Sequence, residues 1–353
     1  MTDTTLRNNT NRKSKKTSGR SVTIYITLAV VIILIAIAGG ILFSGSATSS
    51  AVIKVPSNAS SEQLLDSLSK YLGDSYAAKV TRLVNFRGTN IRDRHGAYLI
   101  EAGWSPLTAM RRITSGPQHP VTITINGFRV PESLQEKVAA KFDFSADSLA
   151  KVMADVNTLG KYGLTPDQSM ALFFNDSYDF FWNASPETII EKVGSHYLDV
   201  WNKERCDKAS ALGLTPVDIM IIASITDEET NAKEEKGTIG RLYINRLKSG
   251  MPLQADPTVR YAIGDFSIKR VTIPMTRTPN PYNTYMNKGL PPGPIRTTSV
   301  ETVDAILNSQ PHDFLYMCAK EDFSGRHSFA KTYAEHQQNA RRYKRELDRR
   351  GIY

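Results

Sequence analysis

The pattern of hydrophobic and polar positions separates an apolar beginning from a long amphipathic remainder. Residues 22–43 are twenty-two residues without a charge, enough for a helix to cross a hydrocarbon core of about 30 Å. Six basic residues and one acid lie in the first twenty positions, which predicts a cytoplasmic N-terminus and an extracytoplasmic remainder. A cleaved signal peptide is the alternative, because small residues follow, but the apolar stretch is longer than a usual signal core.

Beyond this segment, the periodicity predicts an α+β fold. Residues 44–51 are Ser, Ala, Gly and Thr and are typical of a flexible linker. Short strand and helix patterns over 52–120 indicate a small α+β module, and a mostly helical connecting region follows over 121–205. Runs of helix with short antiparallel strands, without repeated βαβ units, are the mark of this class.

Residues 215–230 predict the helix that carries the candidate chemistry. Thr215 with Asp218 three residues later is a helix-start signature, and Pro216 suits the first helical position. The apolar residues that follow at helical spacing favour a helix with an apolar side.

One carboxylate of this helix is expected on its apolar side. At helical spacing Glu229 shares a face with Ile222 and Ile225, whereas Asp227 and Glu228 point elsewhere. Burial disfavours the charged form, so a glutamate against an apolar wall has a raised pKa and can act as a general acid. Glu229 is therefore the candidate acid, and a solvated residue in a frayed last turn is the alternative.

Polar residues set among turn-formers follow this helix. Gln and Asn offer both donors and acceptors, and Tyr adds a flat face, which suits neutral polyhydroxylated ligands such as sugars better than phosphates. A structural role in a turn remains the alternative for each residue. The candidates in these loops are Gln254, Asp256, Asn283, Tyr285 and His327.

Composition and charge exclude several classes of protein. The chain of 353 residues is 41% hydrophobic and 22% charged, as a globular protein is. Of the net charge of +9, the first twenty residues hold +5, so a general nucleic-acid-binding surface is not indicated. Cys206 and Cys318 are too few for a disulfide framework or a zinc site, although one bridge stays open. An aromatic cluster over 173–182 favours domain packing over sugar stacking.

Six motifs occur in order over about 110 residues: A-S-I-T-D-E-E-T at 223–230, I-N-R-L at 244–247, L-Q-A-D-P-T-V-R-Y at 253–261, Y-N-T-Y at 282–285, G-L-P-P-G-P-I at 289–295 and H-S-F at 327–329. Together they resemble the endolytic murein transglycosylase family (MltG, also called YceG). The resemblance implies a cytoplasmic basic stub (1–21), one transmembrane helix (22–43), the linker (44–51), a LysM-like module (52–120), the connecting region (121–205) and a catalytic domain (206–353).

The resemblance also implies a reaction. Such enzymes cut glycan strands of nascent peptidoglycan between N-acetylmuramic acid and N-acetylglucosamine and leave a 1,6-anhydromuramyl end. Glu229 falls on the family's catalytic glutamate, and Asp227 stands where the family usually has a glutamate. No cofactor or metal is required. Substrate-binding roles go to Asp227, Gln254, Asp256, Asn283, Tyr285 and His327.

Three functions are weighed from the sequence. The first is a lytic transglycosylase anchored in the cytoplasmic (inner) membrane, with glycan strands as substrate and cell-wall synthases as further partners. The second is a muramidase that uses Glu229 and Asp256 with water, since ordinary glycosidases need two carboxylates. The third is a peptidoglycan-binding scaffold that does not cut.

Overall fold

Two hydrophobic cores form along the chain, one on each side of His119. In the computed structural model, which describes Met1 and residues 18–351, the units are Met1–His119 and Pro120–Tyr353. The described residues are mixed α+β, mostly helical, with two-stranded antiparallel sheets. This confirms the predicted α+β class.

The first unit contains a strand–helix–helix–strand order. Strand β1 pairs antiparallel with β2, with Ala51 opposite Ile100, and the helices between them bury leucines such as Leu64 and Leu68 against the sheet. The elements are α1 (Ser18–Phe43), β1 (Ala51–Val55), α2 (Ser61–Leu72), α3 (Asp74–Phe86), β2 (Gly96–Ile100) and α4 (Pro106–Ser115).

The apolar segment near the N-terminus is helical, as part of α1. Within residues 18–351, no single helix is long and apolar enough to cross a membrane; Val22–Ile37 is the shorter apolar stretch, and Lys203–Ala211 with Pro216–Glu229 meets the criteria only as a pair bent by 78°. The predicted span over 22–43 stays a prediction. The predicted basic stub lies largely outside the described residues.

Residues 44–51 differ from the flexible linker that composition predicts. The backbone of Ala47 exchanges hydrogen bonds with the 103–104 turn, its N–H donating to Trp104 O at 2.9 Å and its carbonyl accepting from Gly103 N at 2.8 Å. Lys79 Nζ donates to the carbonyl of Ser44 at 2.9 Å. Ala47 is buried in the core of the first unit. Small side chains here permit close packing, which composition alone does not distinguish from flexibility.

The second unit builds one core from both the predicted connecting region and the predicted catalytic domain. A single apolar cluster runs from Ile123 to Leu307 in sequence. The elements are β3 (Pro120–Thr124), α5 (Pro131–Ala139), α6 (Ala146–Met153), α7 (Val156–Gly160), β4 (Ser177–Phe181), α8 (Pro186–Val200), α9 (Lys203–Ala211), α10 (Pro216–Glu229), α11 (Lys233–Lys248), α12 (Asp256–Ile263), α13 (Val300–Leu307), β5 (Tyr316–Ala319), β6 (His327–Ala330) and α14 (Tyr333–Arg350).

The aromatic cluster over 173–182 mostly fills this core. Phe173 and Phe174 are fully buried, and Tyr178 and Phe180 nearly so, whereas Phe181 is 55% exposed. The packing interpretation of the cluster therefore agrees with the structure for most of its rings. Cys206 and Cys318, which the sequence leaves open, are both free thiols.

Candidate active site

Helix α10 is fixed at both ends and enclosed along its length. Thr215 and Asp218 form the predicted capping box, with Asp218 N donating to Thr215 Oγ1 and Thr215 N donating to Asp218 Oδ2. Residues 219–227 are all buried. The loop at 289–295 docks on this helix through Ile295 N, which donates to Ser224 Oγ at 3.1 Å. Because the helix is held this way, the direction of each side chain at its C-terminal end is fixed.

The first of three successive carboxylates, Asp227, points into a buried polar cluster. Lys236 Nζ donates to its Oδ1 at 2.7 Å, Thr302 Oγ1 to the same oxygen at 2.8 Å, and Thr298 Oγ1 to Oδ2 at 2.6 Å. Both oxygens of Asp227 are thus occupied, and the residue does not line the cleft described below. The geometry gives no support to a substrate contact by Asp227.

The second carboxylate, Glu228, joins the C-terminal end of α10 to two arginines. Its Oε1 accepts from Arg129 Nε and from Arg296 Nη1, each at 2.8 Å, and its side chain is only 7% exposed. A buried carboxylate shared by two guanidinium groups is a structural anchor.

The third carboxylate, Glu229, opens into a cleft of about 390 Å³. Its Oε1 accepts from Tyr243 Oη at 2.7 Å. Burial raises the pKa of the Glu229 carboxyl; the hydrogen bond from Tyr243 acts against this, while the nearby charge of Asp256 raises the pKa further. A half-buried carboxyl with a raised pKa at a cleft is the arrangement of a general acid.

The cleft is formed by residues that lie far apart in the sequence. Helices α11, α12 and α14, strands β5 and β6 and two loops meet around the end of α10. The lining residues are Glu229, Leu242, Tyr243, Arg246, Leu253, Gln254, Asp256, Arg260, Tyr285, Tyr316, Met317, Cys318, Ala319, His327, Tyr333 and His336.

Asp256 and Tyr285 form a pair on one side of this cleft. Tyr285 Oη donates to Asp256 Oδ1 at 2.6 Å. Burial, followed by this hydrogen bond, raises the pKa of Tyr285, so the phenol stays protonated and remains a donor. Asp256 is therefore the second carboxylate in reach of a ligand in the cleft.

Gln254 reaches the cleft through an unusual backbone conformation. Its φ of 50° is left-handed, which is uncommon outside glycine and persists where surrounding contacts hold it. Its N–H donates to Thr284 O at 3.2 Å, and its side-chain oxygen accepts from Arg246 Nη2 at 2.6 Å.

His327 is oriented by a buried glutamate. Glu235, 8% exposed, accepts from the backbone N–H of His327 at 2.9 Å through Oε1 and from His327 Nδ1 at 3.0 Å through Oε2. This contact fixes Nδ1 as the protonated ring nitrogen. The other ring nitrogen, Nε2, remains for a ligand in the cleft.

Asn283 is the other predicted binding residue that the structure does not bring to the cleft. It is fully buried, and its Nδ2 donates to the carbonyls of Thr276 and Thr278 at 3.0 and 2.8 Å. Its Oδ1 accepts from Tyr285 N at 3.0 Å. Asn283 therefore shapes the loop that presents Tyr285 and has no free polar atom for a ligand.

Several lining residues escape sequence reasoning. Tyr243 and Arg246 lie on α11, where the pattern reads as an amphipathic helix and its end. Tyr316 lies on β5, and Tyr333 and His336 lie on α14. None of the three belongs to one of the six motifs, although all lie near H-S-F in the sequence. The I-N-R-L motif is the signal that points to Arg246, and a tyrosine inside an apolar stripe is the signal that points to Tyr243. Within the described residues, no cluster of three or more His, Cys, Asp or Glu is arranged to hold a metal ion.

Comparison with known proteins shows which family the chain resembles. The YceG-like family profile matches residues 53–342. An endolytic murein transglycosylase of Bacillus subtilis (strain 168) is 36% identical over 174 residues, which is 48% of this chain and 45% of that protein. One from Streptococcus pneumoniae serotype 2 is 26% identical over 273 residues, covering 69% of this chain and 49% of that protein. The chain thus spans about half the length of the curated relatives it matches.

A solved structure shares the fold. The crystal structure of a yceG-like protein from Listeria monocytogenes matches with a TM-score of 0.53 and 22% identity, over 82% of this chain and 98% of that one.

Proposed function

The chain belongs to the YceG-like family, and from that membership we propose that it is an endolytic lytic transglycosylase of peptidoglycan. Its substrate is the glycan strand, cut between N-acetylmuramic acid and N-acetylglucosamine. The observation that carries the proposal is Glu229, whose carboxyl has a pKa raised by burial and opens into a polar cleft. The relatives named as endolytic murein transglycosylases support the same activity.

The reaction uses one carboxyl group twice. Protonated Glu229 gives its proton to the glycosidic oxygen, and the bond from this oxygen to C1 of the muramyl residue breaks. The resulting carboxylate takes a proton from the C6 hydroxyl of that residue, whose oxygen bonds to C1. The product is a 1,6-anhydro end, no water is consumed, and Glu229 is protonated again.

The other residues support this step. Tyr243 holds the Glu229 carboxyl through its 2.7 Å hydrogen bond. We assign Asp256, Tyr285, Gln254 and His327, which line the cleft, to glycan binding and to stabilisation of the positive charge that develops at C1. The buried Asn283 acts through the backbone of the Tyr285 loop.

The deciding experiment is mass spectrometry of products from uncrosslinked glycan strands. Wild type should release anhydro-ended fragments, and Glu229→Gln should lose about 10²- to 10⁴-fold in rate, the usual contribution of a general acid. Glu301→Gln is the matched control, because Glu301 is an exposed carboxylate that pairs with Lys233 outside the cleft.

Two results would contradict the proposal. Reducing ends in place of anhydro ends would indicate hydrolysis, with Asp256 as the second carboxylate. Intact strands after incubation with a folded wild type would indicate a protein that binds glycan without cutting it.

We also propose that α1 anchors the protein in the cytoplasmic (inner) membrane. All side chains of Val22–Ile37 are exposed, and an exposed apolar surface of this length suits lipid. The positive N-terminal segment supports a cytoplasmic N-terminus and an extracytoplasmic site beside the cell-wall synthases. If this is correct, deleting residues 18–43 moves the protein from the membrane fraction to the soluble fraction; unchanged fractionation would contradict it.

We also propose a division of the chain after the linker into a LysM-like module, a connecting region and a catalytic domain. The strand–helix–helix–strand order over Ala51–Ile100 supports a LysM-like module in 52–120. We propose that 121–205 serves as the connecting region of the catalytic domain at 206–353, although both contribute to one core.

A further inference from the structure

Two arginines line the cleft without an acidic partner. Arg246 is 8% exposed, and Arg260 lies four residues after Asp256 on α12. Neither appears in an ion pair among the described residues. A buried cation is normally paired, whereas the two carboxylates of this cleft, Glu229 and Asp256, accept their hydrogen bonds from Tyr243 and Tyr285 and from neither arginine.

The guanidinium groups of Arg246 and Arg260 differ in how many of their hydrogen-bond donors already have an acceptor in the protein. Arg246 Nε donates to Pro252 O at 3.1 Å, and Arg246 Nη2 donates to Gln254 Oε1 at 2.6 Å. These two neutral acceptors hold the Arg246 guanidinium group in place. The Arg260 side chain is only partly buried, but its Nε is buried and has no hydrogen-bond partner. Arg260 is therefore the group with free donor capacity.

The charge of Arg260 also acts on the candidate acid. Its positive charge lowers the pKa of Glu229, against the larger effect of burial. An anion bound to Arg260 would cancel this effect and favour protonated Glu229. Binding of an anionic ligand and protonation of Glu229 are thus coupled through the Arg260 side chain.

We propose that Arg260, supported by the fixed charge of Arg246, binds a carboxylate carried by the glycan strand beside the bond that is cut. Arginine suits this role because its planar donors match a carboxylate in a bidentate contact. This inference rests on the proposed function, since it assigns the substrate a charge requirement at the same site. The carboxylate has two sources on such strands: the lactyl group of a muramyl residue without a peptide, or a free carboxyl of the stem peptide.

The test compares three substrates of equal length. They are strands with stem peptides, strands whose peptides have been removed to leave free lactyl carboxyls, and peptide-free strands with those carboxyls converted to neutral amides. Wild type is expected to prefer one of the two acidic substrates over the amide by about 10- to 100-fold in kcat/KM, the scale of one charge-assisted hydrogen bond. Preference for the first identifies the stem peptide, and preference for the second identifies the lactyl group.

The variants separate charge from shape. Arg260→Gln should bring this preference ratio close to one, and Arg260→Lys should restore part of it. Arg270→Gln is the matched control, because Arg270 is exposed and outside the cleft. In wild type, the alkaline limb of kcat against pH should lie at higher pH with the preferred acidic strand than with the amide strand, because kcat reports the enzyme with substrate bound. Arg260→Gln should remove this difference.

The inference fails if wild type shows no preference, or if Arg260→Gln keeps it. Binding of the three substrates to the inactive Glu229→Gln variant, with and without Arg260→Gln, gives the same comparison without turnover. A preference in binding that depends on Arg260, found in a protein that releases no anhydro ends, would overturn the proposed function and leave the carboxylate site standing. The reverse pattern, cleavage without preference, would overturn the site alone.

Discussion

The protonation of Glu229 is set by groups that act in opposite directions. Burial and the charge of Asp256 favour the neutral acid, whereas Tyr243, His327 and Arg260 favour the carboxylate. The residue must donate and then accept a proton, so its pKa has to lie near the working pH. Because these contributions oppose each other, the pKa of Glu229 can lie near the working pH, whereas burial alone would keep the carboxyl protonated.

Removing the Tyr243 hydroxyl is expected to extend activity to higher pH. Tyr243→Phe deletes the hydrogen bond that stabilises the carboxylate, so the pKa of Glu229 rises. Because the reaction starts from protonated Glu229, the alkaline limb of kcat/KM against pH moves upward. Tyr343→Phe, a tyrosine on α14 that does not line the cleft, should leave the limb in place. A limb that moves to lower pH would show that Tyr243 does not act on Glu229 in this way.

The sequence predicts the direction of a side chain on a helix better than its partner. Helical spacing separates Glu229 from Asp227 and Glu228, and the structure directs the three carboxylates to three different surroundings. The partners of Asp227 include Thr298 and Thr302, about seventy residues later. No local pattern indicates such a contact, so the sequence does not show that both oxygens of Asp227 are occupied inside the fold.

At the scale of elements, helix starts were predictable because their chemistry is local. Capping residues followed by proline mark the start of α10 at Thr215 and of α4 at Ser105. The cleft is less predictable, because six helices and strands spread over more than one hundred residues supply its walls. The ordered motifs indicated which loops belong together, and only the fold shows which of their side chains face inward.

The buried cluster around Asp227 holds α10 to α11 and α13, so breaking it is expected to be costly. Asp227→Ala leaves the Lys236 ammonium, 17% exposed, without its carboxylate. The free energy of unfolding should fall by about 3–5 kcal/mol, the usual loss when one partner of a buried ion pair is removed. Urea unfolding followed by circular dichroism measures this loss.

Two further variants test the cause of this loss. Asp227→Leu combined with Lys236→Met should recover much of the stability, since no unpaired charge remains. Glu301→Ala, which breaks the exposed pair with Lys233, should cost less than about 1 kcal/mol. Equal losses for the buried and the exposed pair would contradict the role given to Asp227.

The loop at 289–295 depends on a close approach that only glycine permits. A Cβ on Gly293 would lie 1.9 Å from the carbonyl oxygen of Asp167, so Gly293→Ala must displace backbone. We expect thermal unfolding to show a loss of about 1–3 kcal/mol, as for other overpacked sites. Gly160→Ala is the control, because nothing lies within 4 Å of its added Cβ. A neutral Gly293→Ala would mean that the loop shifts freely.

At the scale of the whole molecule, the candidate site belongs to one unit. Every residue that lines the cleft lies in Pro120–Tyr353, and this unit has its own hydrophobic core. The division at 205/206 stays a proposal; residues on both sides of it contribute to this core, which helical periodicity does not show because it does not tell which helices pack together.

A fragment of residues 120–353 is therefore expected to fold alone. It should unfold in a single cooperative transition and cut short soluble glycan strands at a rate similar to that of the full chain. Circular dichroism and product analysis measure the two properties, with residues 44–119 as a control that should fold and not cut. A fragment that folds and does not cut short strands, while the full chain does, would place an essential part of the site in the first unit.

The placement of three carboxylates in a row at the end of α10 has a consequence for how this chain can change. Each residue of a helix is turned by about 100° from the one before. Inserting or deleting one residue within α10 would therefore turn Glu228 or Thr230 toward the cleft and move the acid into the neighbouring contacts. A conservative substitution in this helix leaves the direction of the acid unchanged, whereas a change in the helix length does not. The stretch from Thr215 to Thr230 should consequently align without a gap in every relative that keeps the reaction.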